Sequence, residues 1–239
     1  MPARRSALRP VSRARLAFAV DAASWREAAP LVERVAPHVD VLKLGLELFC
    51  AEGPAIVREA RSLGPEIFLD LKLHDIPATV ERSIAAVAGL GVRYVTIHAS
   101  GGRAMVRSAV ARARREAPEL EVLAVTALTS LGDADLDELG VARGMLGHVS
   151  ALAALAWEAG ARGFVCSPRE VAELRARFPD ATLVTPGIRR ASDPAGDQAR
   201  TMTPAEAAAR GASLLVVGRP IRDAEDPAAV AREIKGQLA

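Results

Sequence analysis

The stretch IFLDLKLHDIPATVERSIAAVA, residues 67–88, contains one complete structural unit. Its opening, Ile67–Leu71, is a short apolar run of strand length. Its close sets Val80, Ile84, Val87 and Ala88 at helical spacing. The unit is βα, and it recurs. Further β-rich runs occur at Leu16–Val20, Val39–Leu44, Tyr94–Ile97, Val122–Thr126, Gly163–Cys166, Thr182–Thr185 and Leu214–Val217, which makes eight with the first. Ala-, Glu- and Arg-rich segments separate them, such as the one carrying Trp25, Ala28, Ala29, Val32 and Val35.

Strands that alternate with helices become parallel strands joined by right-handed crossovers, covered by helices and therefore almost continuously apolar. Eight such units fit a closed (β/α)8 barrel better than a doubly wound open sheet, which has fewer strands. The expected organisation is a basic, disordered arm over residues 1–15 and a single catalytic barrel over 16–239.

Composition excludes several classes of function. The formal charge of +2 arises from the arm, where Arg4, Arg5, Arg9, Arg13 and Arg15 meet no acid; the remainder has 26 basic against 29 acidic residues. With only 3% aromatic residues it offers no stacking platform for nucleic acid. No apolar run of about 18 residues is available to span a membrane. Cys50 and Cys166 are isolated, and His38, His74, His98 and His148 lack the spacing of a metal site, so a reducing cytoplasm and no metal are expected. Asp133, Asp135, Asp137 and Glu138 lack the glycine and ligand order of a calcium loop and read as a solvated helix start.

In such barrels the active site lies at the carboxyl ends of the strands. Four charges stand there where an apolar residue would be cheaper: Asp21 after the first run, Lys43 in the second, Asp70 and Lys72 in the third, with Asp75 just beyond. A buried charge costs several kcal/mol unless it is paired. Alternation in a strand puts Asp70 and Lys72 on one face, with Leu69 and Leu71 on the other. One such pair would suit a structural ion pair; two acids and two lysines converging point to chemistry. At the ends of the seventh and eighth runs, Gly187 and Gly218 allow close backbone approach, while Arg189 and Arg219 offer forked donors for phosphate. Gln198 lies in a Pro-, Gly-, Asp- and Ser-rich loop able to close over a ligand.

The segment Asp70 to Pro77, with Thr79, resembles the signature of orotidine 5′-phosphate decarboxylases. So do Phe18–Asp21, Leu42–Gly45, Val125–Ser130, Pro186–Arg189, Asp197-Gln198 and Val217–Ile221, in order from about residue 16 to the C-terminus. The resemblance implies conversion of orotidine 5′-monophosphate to uridine 5′-monophosphate and carbon dioxide, without cofactor, in pyrimidine biosynthesis. It makes Lys72 the proton donor and Asp70, Asp75 and Lys43 its charged neighbours. Asp21 and Lys43 would contact the ribose hydroxyls, and Thr129 or Ser130 the pyrimidine edge. Asp75, Ile76 and Thr79 would reach across a homodimer interface.

Physics supports such an array. Loss of carbon dioxide leaves a carbanion with no enolate to delocalise into, so stabilisation must be electrostatic and prearranged, and flanking acids favour an ammonium beside that carbon. The closest alternative is a magnesium-dependent sugar-phosphate decarboxylase or aldolase of the same suprafamily, in which an acid from the second strand helps hold the metal. Here that strand presents Lys43, a cation. A non-catalytic pyrimidine-nucleotide-binding barrel is a second alternative, disfavoured because a sensor needs no buried proton donor; an isomerase barrel of another family is a third.

Overall fold

In a computed structural model, which describes residues 13–190 and 201–238, eight parallel strands close into a barrel in chain order. The strands are β1 (Arg15–Val20), β2 (Val41–Gly45), β3 (Glu66–Leu73), β4 (Tyr94–His98), β5 (Glu121–Val125), β6 (Gly163–Val165), β7 (Thr182–Thr185) and β8 (Leu214–Val217). Each crossover carries helix, so the sheet is covered all round. The helix Trp25–Val35, capped by the Ser24 hydroxyl, buries Ala28, Val32 and Val35; the helix Pro77–Ala88 buries Val80, Ile84 and Val87. Those are the stripes the spacing predicts.

Alternation along the strands divides the core in two. Leu16, Phe18, Val20, Leu42, Leu44, Ile67 and Leu69 point outward to the helices. Ala17, Ala19, Val41, Phe68, Tyr94, Leu123, Val184, Leu214 and Val216 fill the barrel itself. Above that inner layer the same positions of β2, β3 and β4 continue as Lys43, Asp70 and Thr96. The barrel is thus plugged with apolar side chains below and charged above, which aims its chemistry at the carboxyl-terminal mouth.

Several boundaries move. The expected arm loses its last arginine to the barrel: Arg15 opens β1, its guanidinium donating to Tyr94 Oη at 3.1 Å and to Glu66 Oε2 at 2.6 Å on the amino-terminal face. Arg13 donates to the Lys235 carbonyl at 3.2 Å, and residues 1–12 lie outside the described residues. β2 starts at Val41, because a 3-10 turn over Ala36–His38 takes the chain up to Val39. β3 runs two residues beyond Leu71, and its pairing with β4 slips between Leu69 and Leu73. Asp133 and Asp135 do occupy the first turn of a helix, Asp133–Glu138. Among the described residues no helix is long and apolar enough to cross a membrane.

Candidate active site

A cavity of about 500 Å³ opens at the mouth of the barrel, within the usual range for small-molecule sites. One wall is charged. Lys43 Nζ donates to Asp21 Oδ1 at 3.2 Å and lies 3.7 Å from Asp70 Oδ2; Lys72 Nζ donates to that same Asp70 oxygen at 2.7 Å. Asp21, Lys43, Asp70 and Lys72 therefore form a row of alternating sign contributed by three neighbouring strands. Gly45, next on the inward face of β2, leaves the row its room: a Cβ there would stand 3.3 Å from Asp21 Oδ1 and 3.4 Å from Lys43 Nζ.

Asp70 is the hub. Burial pushes its pKa up, but Lys43 and Lys72, together with hydrogen bonds from Lys72 and Thr96, outweigh that and hold the carboxyl below its ordinary range. His98 ends β4, its ring centroid 5.5 Å from that of His74. Burial, then His74 and Lys72, push the His98 pKa down and so favour its neutral form. Among the described residues no group of three or more His, Cys, Asp or Glu side chains is arranged to hold a metal ion.

Lys72 reaches this position irregularly. Simple alternation predicts it beside Asp70 on a flat strand, yet its φ is 50°, making it the only non-glycine with positive φ among the described residues. The left-handed backbone falls where the register with β4 slips. The pairing with Asp70 is as expected; the means is a left-handed residue at a register slip.

The opposite wall is basic and its floor apolar. Phe68, Val125, Val165, Val184 and Val216 make the floor; Pro186, Gly187, Arg189, Gly218, Arg219 and Arg222 line the far side. Gly187 is left-handed, at φ 82°. The segment after it is clasped at the neck of its loop, with Arg189 N–H donating to the Met202 carbonyl at 3.0 Å and Met202 N–H to the Gly187 carbonyl at 3.3 Å. That clasp sets Arg189, itself buried, into the cavity. The helix after β8, Arg219–Arg222, is a single turn, so its dipole is short and the guanidiniums supply most of the positive field.

Of the residues expected to act, Asp21, Lys43, Asp70, Lys72, Thr129, Arg189, Gly218 and Arg219 all line this one cavity. Between Thr129 and Ser130, Thr129 is the one that lines it. Asp75, Ile76 and Thr79 do not line the cavity of their own barrel; Asp75 is exposed and accepts the Ile76 N–H at 2.6 Å, and Ile76 is 65% exposed. Gln198 lies outside the described residues. Three residues were missed. Gly45 ends β2, where a glycine reads as a plain turn signal. Arg222, gripped by Asp223 at 2.6 and 3.1 Å, lies three residues past Arg219 and could have been found from that spacing. Thr96 looks like an ordinary strand residue.

The family model described as "Orotidine 5′-phosphate decarboxylase / HUMPS family" matches residues 14–234. The chain belongs to that family. A relative from Anaeromyxobacter dehalogenans named orotidine 5′-phosphate decarboxylase is 53% identical over 225 residues, covering 94% of this chain and 98% of the relative. One of the same name from Opitutus terrae is 49% identical, covering 93% and 97%. The crystal structure of orotidine 5′-phosphate decarboxylase from Lactobacillus acidophilus superposes with a TM-score of 0.84 at 37% identity, over 94% of this chain and 99% of that one. In this chain the closed barrel carries its charged row and its arginines at one mouth.

Proposed function

We propose that this protein decarboxylates orotidine 5′-monophosphate to uridine 5′-monophosphate and carbon dioxide, with Lys72 as proton donor. The observation that carries the reading is the alternating row Asp21, Lys43, Asp70, Lys72, facing arginines across an apolar floor. The row suits ribose hydroxyls at its Asp21 and Lys43 end and the reacting ring carbon at its Lys72 end. Arg189, Gly218 and Arg219, with Gln198 by resemblance, take the phosphate; Thr129 takes the pyrimidine edge.

When the bond from ring to carboxylate breaks, its electron pair stays on the ring carbon. The ammonium of Lys72 stabilises that pair and then delivers a proton to it, leaving a neutral amine that regains a proton from water. Since Lys72 and Asp70 are held in place before substrate arrives, little reorganisation is needed during the reaction. Asp70, anionic at neutral pH, stands next to the departing carboxylate as well. The phosphate lies far from the chemistry, and its binding energy can be directed into the chemical step.

The magnesium-dependent alternative fares worse on the same geometry. The place between Asp21 and Asp70 that a divalent ion would need is taken by the ammonium of Lys43. Two chains per functional unit are proposed, because Asp75, Ile76 and Thr79 do not line their own cavity and Ile76 offers an apolar surface to a neighbour. A cytoplasmic location fits a pyrimidine-biosynthetic enzyme with two free cysteines. The test is to follow orotidine monophosphate absorbance in the presence of chelator. Turnover unaffected by chelator is expected; turnover lost and regained with magnesium would favour the metal-dependent alternative.

A further inference from the structure

Thr96 lies in the middle of β4, fully buried, and its single hydroxyl serves two parts of the segment that carries Lys72. Oγ1 accepts the backbone N–H of Lys72 at 2.9 Å and donates to Oδ1 of Asp70 at 2.8 Å. The other oxygen of Asp70, Oδ2, accepts Lys72 Nζ. A ring of contacts closes in this way, from the hydroxyl through the backbone and side chain of Lys72 to Asp70 and back.

Geometry elsewhere explains why the ring is needed. Left-handed backbone is uncommon for a residue with a Cβ and persists only where its surroundings enforce it. The slip between β3 and β4 takes the Lys72 N–H out of the regular ladder, and the Thr96 hydroxyl receives it instead. Both oxygens of Asp70 are then occupied, one by the hydroxyl and one by the ammonium, so the carboxylate cannot rotate without breaking a contact. Thr96 does not line the cavity and touches no reacting atom.

We propose that Thr96 is a positioning residue: its hydroxyl fixes the left-handed turn at Lys72 and the rotamer of Asp70, and so aims Nζ at the ring carbon. The inference rests on the reading of Lys72 as proton donor. Valine at this position keeps the shape of threonine and removes both contacts; serine keeps both and loses only a methyl group.

The test measures kcat, KM and affinity for uridine monophosphate in Thr96→Val, Thr96→Ser and Lys72→Ala. Misplacing a reacting group by about 1 Å can cost on the order of 100-fold, so Thr96→Val is expected to lose roughly 30- to 100-fold in kcat while nucleotide affinity stays within about threefold. Thr96→Ser should keep kcat within about fivefold of the parent. Should the valine variant not fold, Thr96→Ala removes the same hydroxyl without adding bulk and carries the same expectation. A Thr96→Val enzyme with normal kcat beside an inactive Lys72→Ala overturns the role of Thr96 alone. Loss of nucleotide binding in both Thr96 variants also overturns it, since the residue would then only support the scaffold. An active Lys72→Ala overturns the proton-donor reading, and this inference with it.

Discussion

Lys72 Nζ stands 2.7 Å from Oδ2 of Asp70, two residues back on the same strand, and Lys43 Nζ approaches the same oxygen at 3.7 Å. One carboxylate oxygen thus serves two ammoniums, and the carboxylate is well shielded from water. Its removal would leave two cations side by side without their shared anion.

Asp70→Asn is therefore expected to destabilise the fold at neutral pH. Unpairing a mostly buried ion pair costs up to 3–5 kcal/mol. Lys72 is partly exposed and solvent can reach it, so a smaller loss of about 1–3 kcal/mol, or roughly 3–10 °C in Tm, is expected. The sign of the pH dependence follows from the lowered pKa of Asp70. A carboxyl whose folded pKa lies below its unfolded value of about 3.9 contributes stability that is present above that value and lost as pH falls through the folded pKa. The gap in Tm between parent and variant should accordingly be full at pH 7 and shrink below about pH 4. Melting curves at both pH values check this, and a gap independent of pH contradicts it.

At the other wall, Arg219→Ala should act on binding. A hydrogen bond to a charged group contributes about 1.5–3 kcal/mol, so kcat/KM should fall roughly 10- to 150-fold. The affinity for uridine, which has no phosphate, should be unchanged. Equal weakening of nucleoside and nucleotide would place Arg219 outside the phosphate site.

A shared active site makes a prediction about mixtures. Lys72→Ala and Asp75→Asn should each be severely impaired alone. In a heterodimer of the two, one site receives Lys72 from one chain and Asp75 from the other, and the second site is doubly defective. Random mixing by co-refolding should then restore about a quarter of parental activity, because half of the dimers are mixed and half of their sites are intact. Absence of recovery, with dimers exchanging, would place Asp75 in the cavity of its own chain or outside the chemistry.

Much of the barrel was legible because parallel strands are buried on both faces, which makes runs such as Leu214–Val217 stand out against the helical segments. Ends were less so. Val39 reads as strand but follows a 3-10 turn, and Leu71 reads as the end of β3 although the strand continues through a register slip to Leu73. Alternation put Lys72 beside Asp70, yet nothing in composition announces a left-handed lysine. The charges of the site were conspicuous for the cost of placing them at strand ends. Thr96 was not, since threonine is at home in any strand and its role depends on a register slip that no sequence pattern encodes. Whether Asp75 serves its own cavity or a neighbour's is likewise beyond a sequence pattern.

The central claim is that Lys72 supplies the proton, and turnover of Lys72→Ala with orotidine monophosphate tests it most directly, with affinity for uridine monophosphate measured on the same preparation. Loss of both electrostatic stabilisation and proton delivery should lower kcat by at least about 10⁴-fold, while nucleotide affinity stays within about tenfold because Arg189 and Arg219 are untouched. Near-normal turnover by the alanine variant would contradict the account.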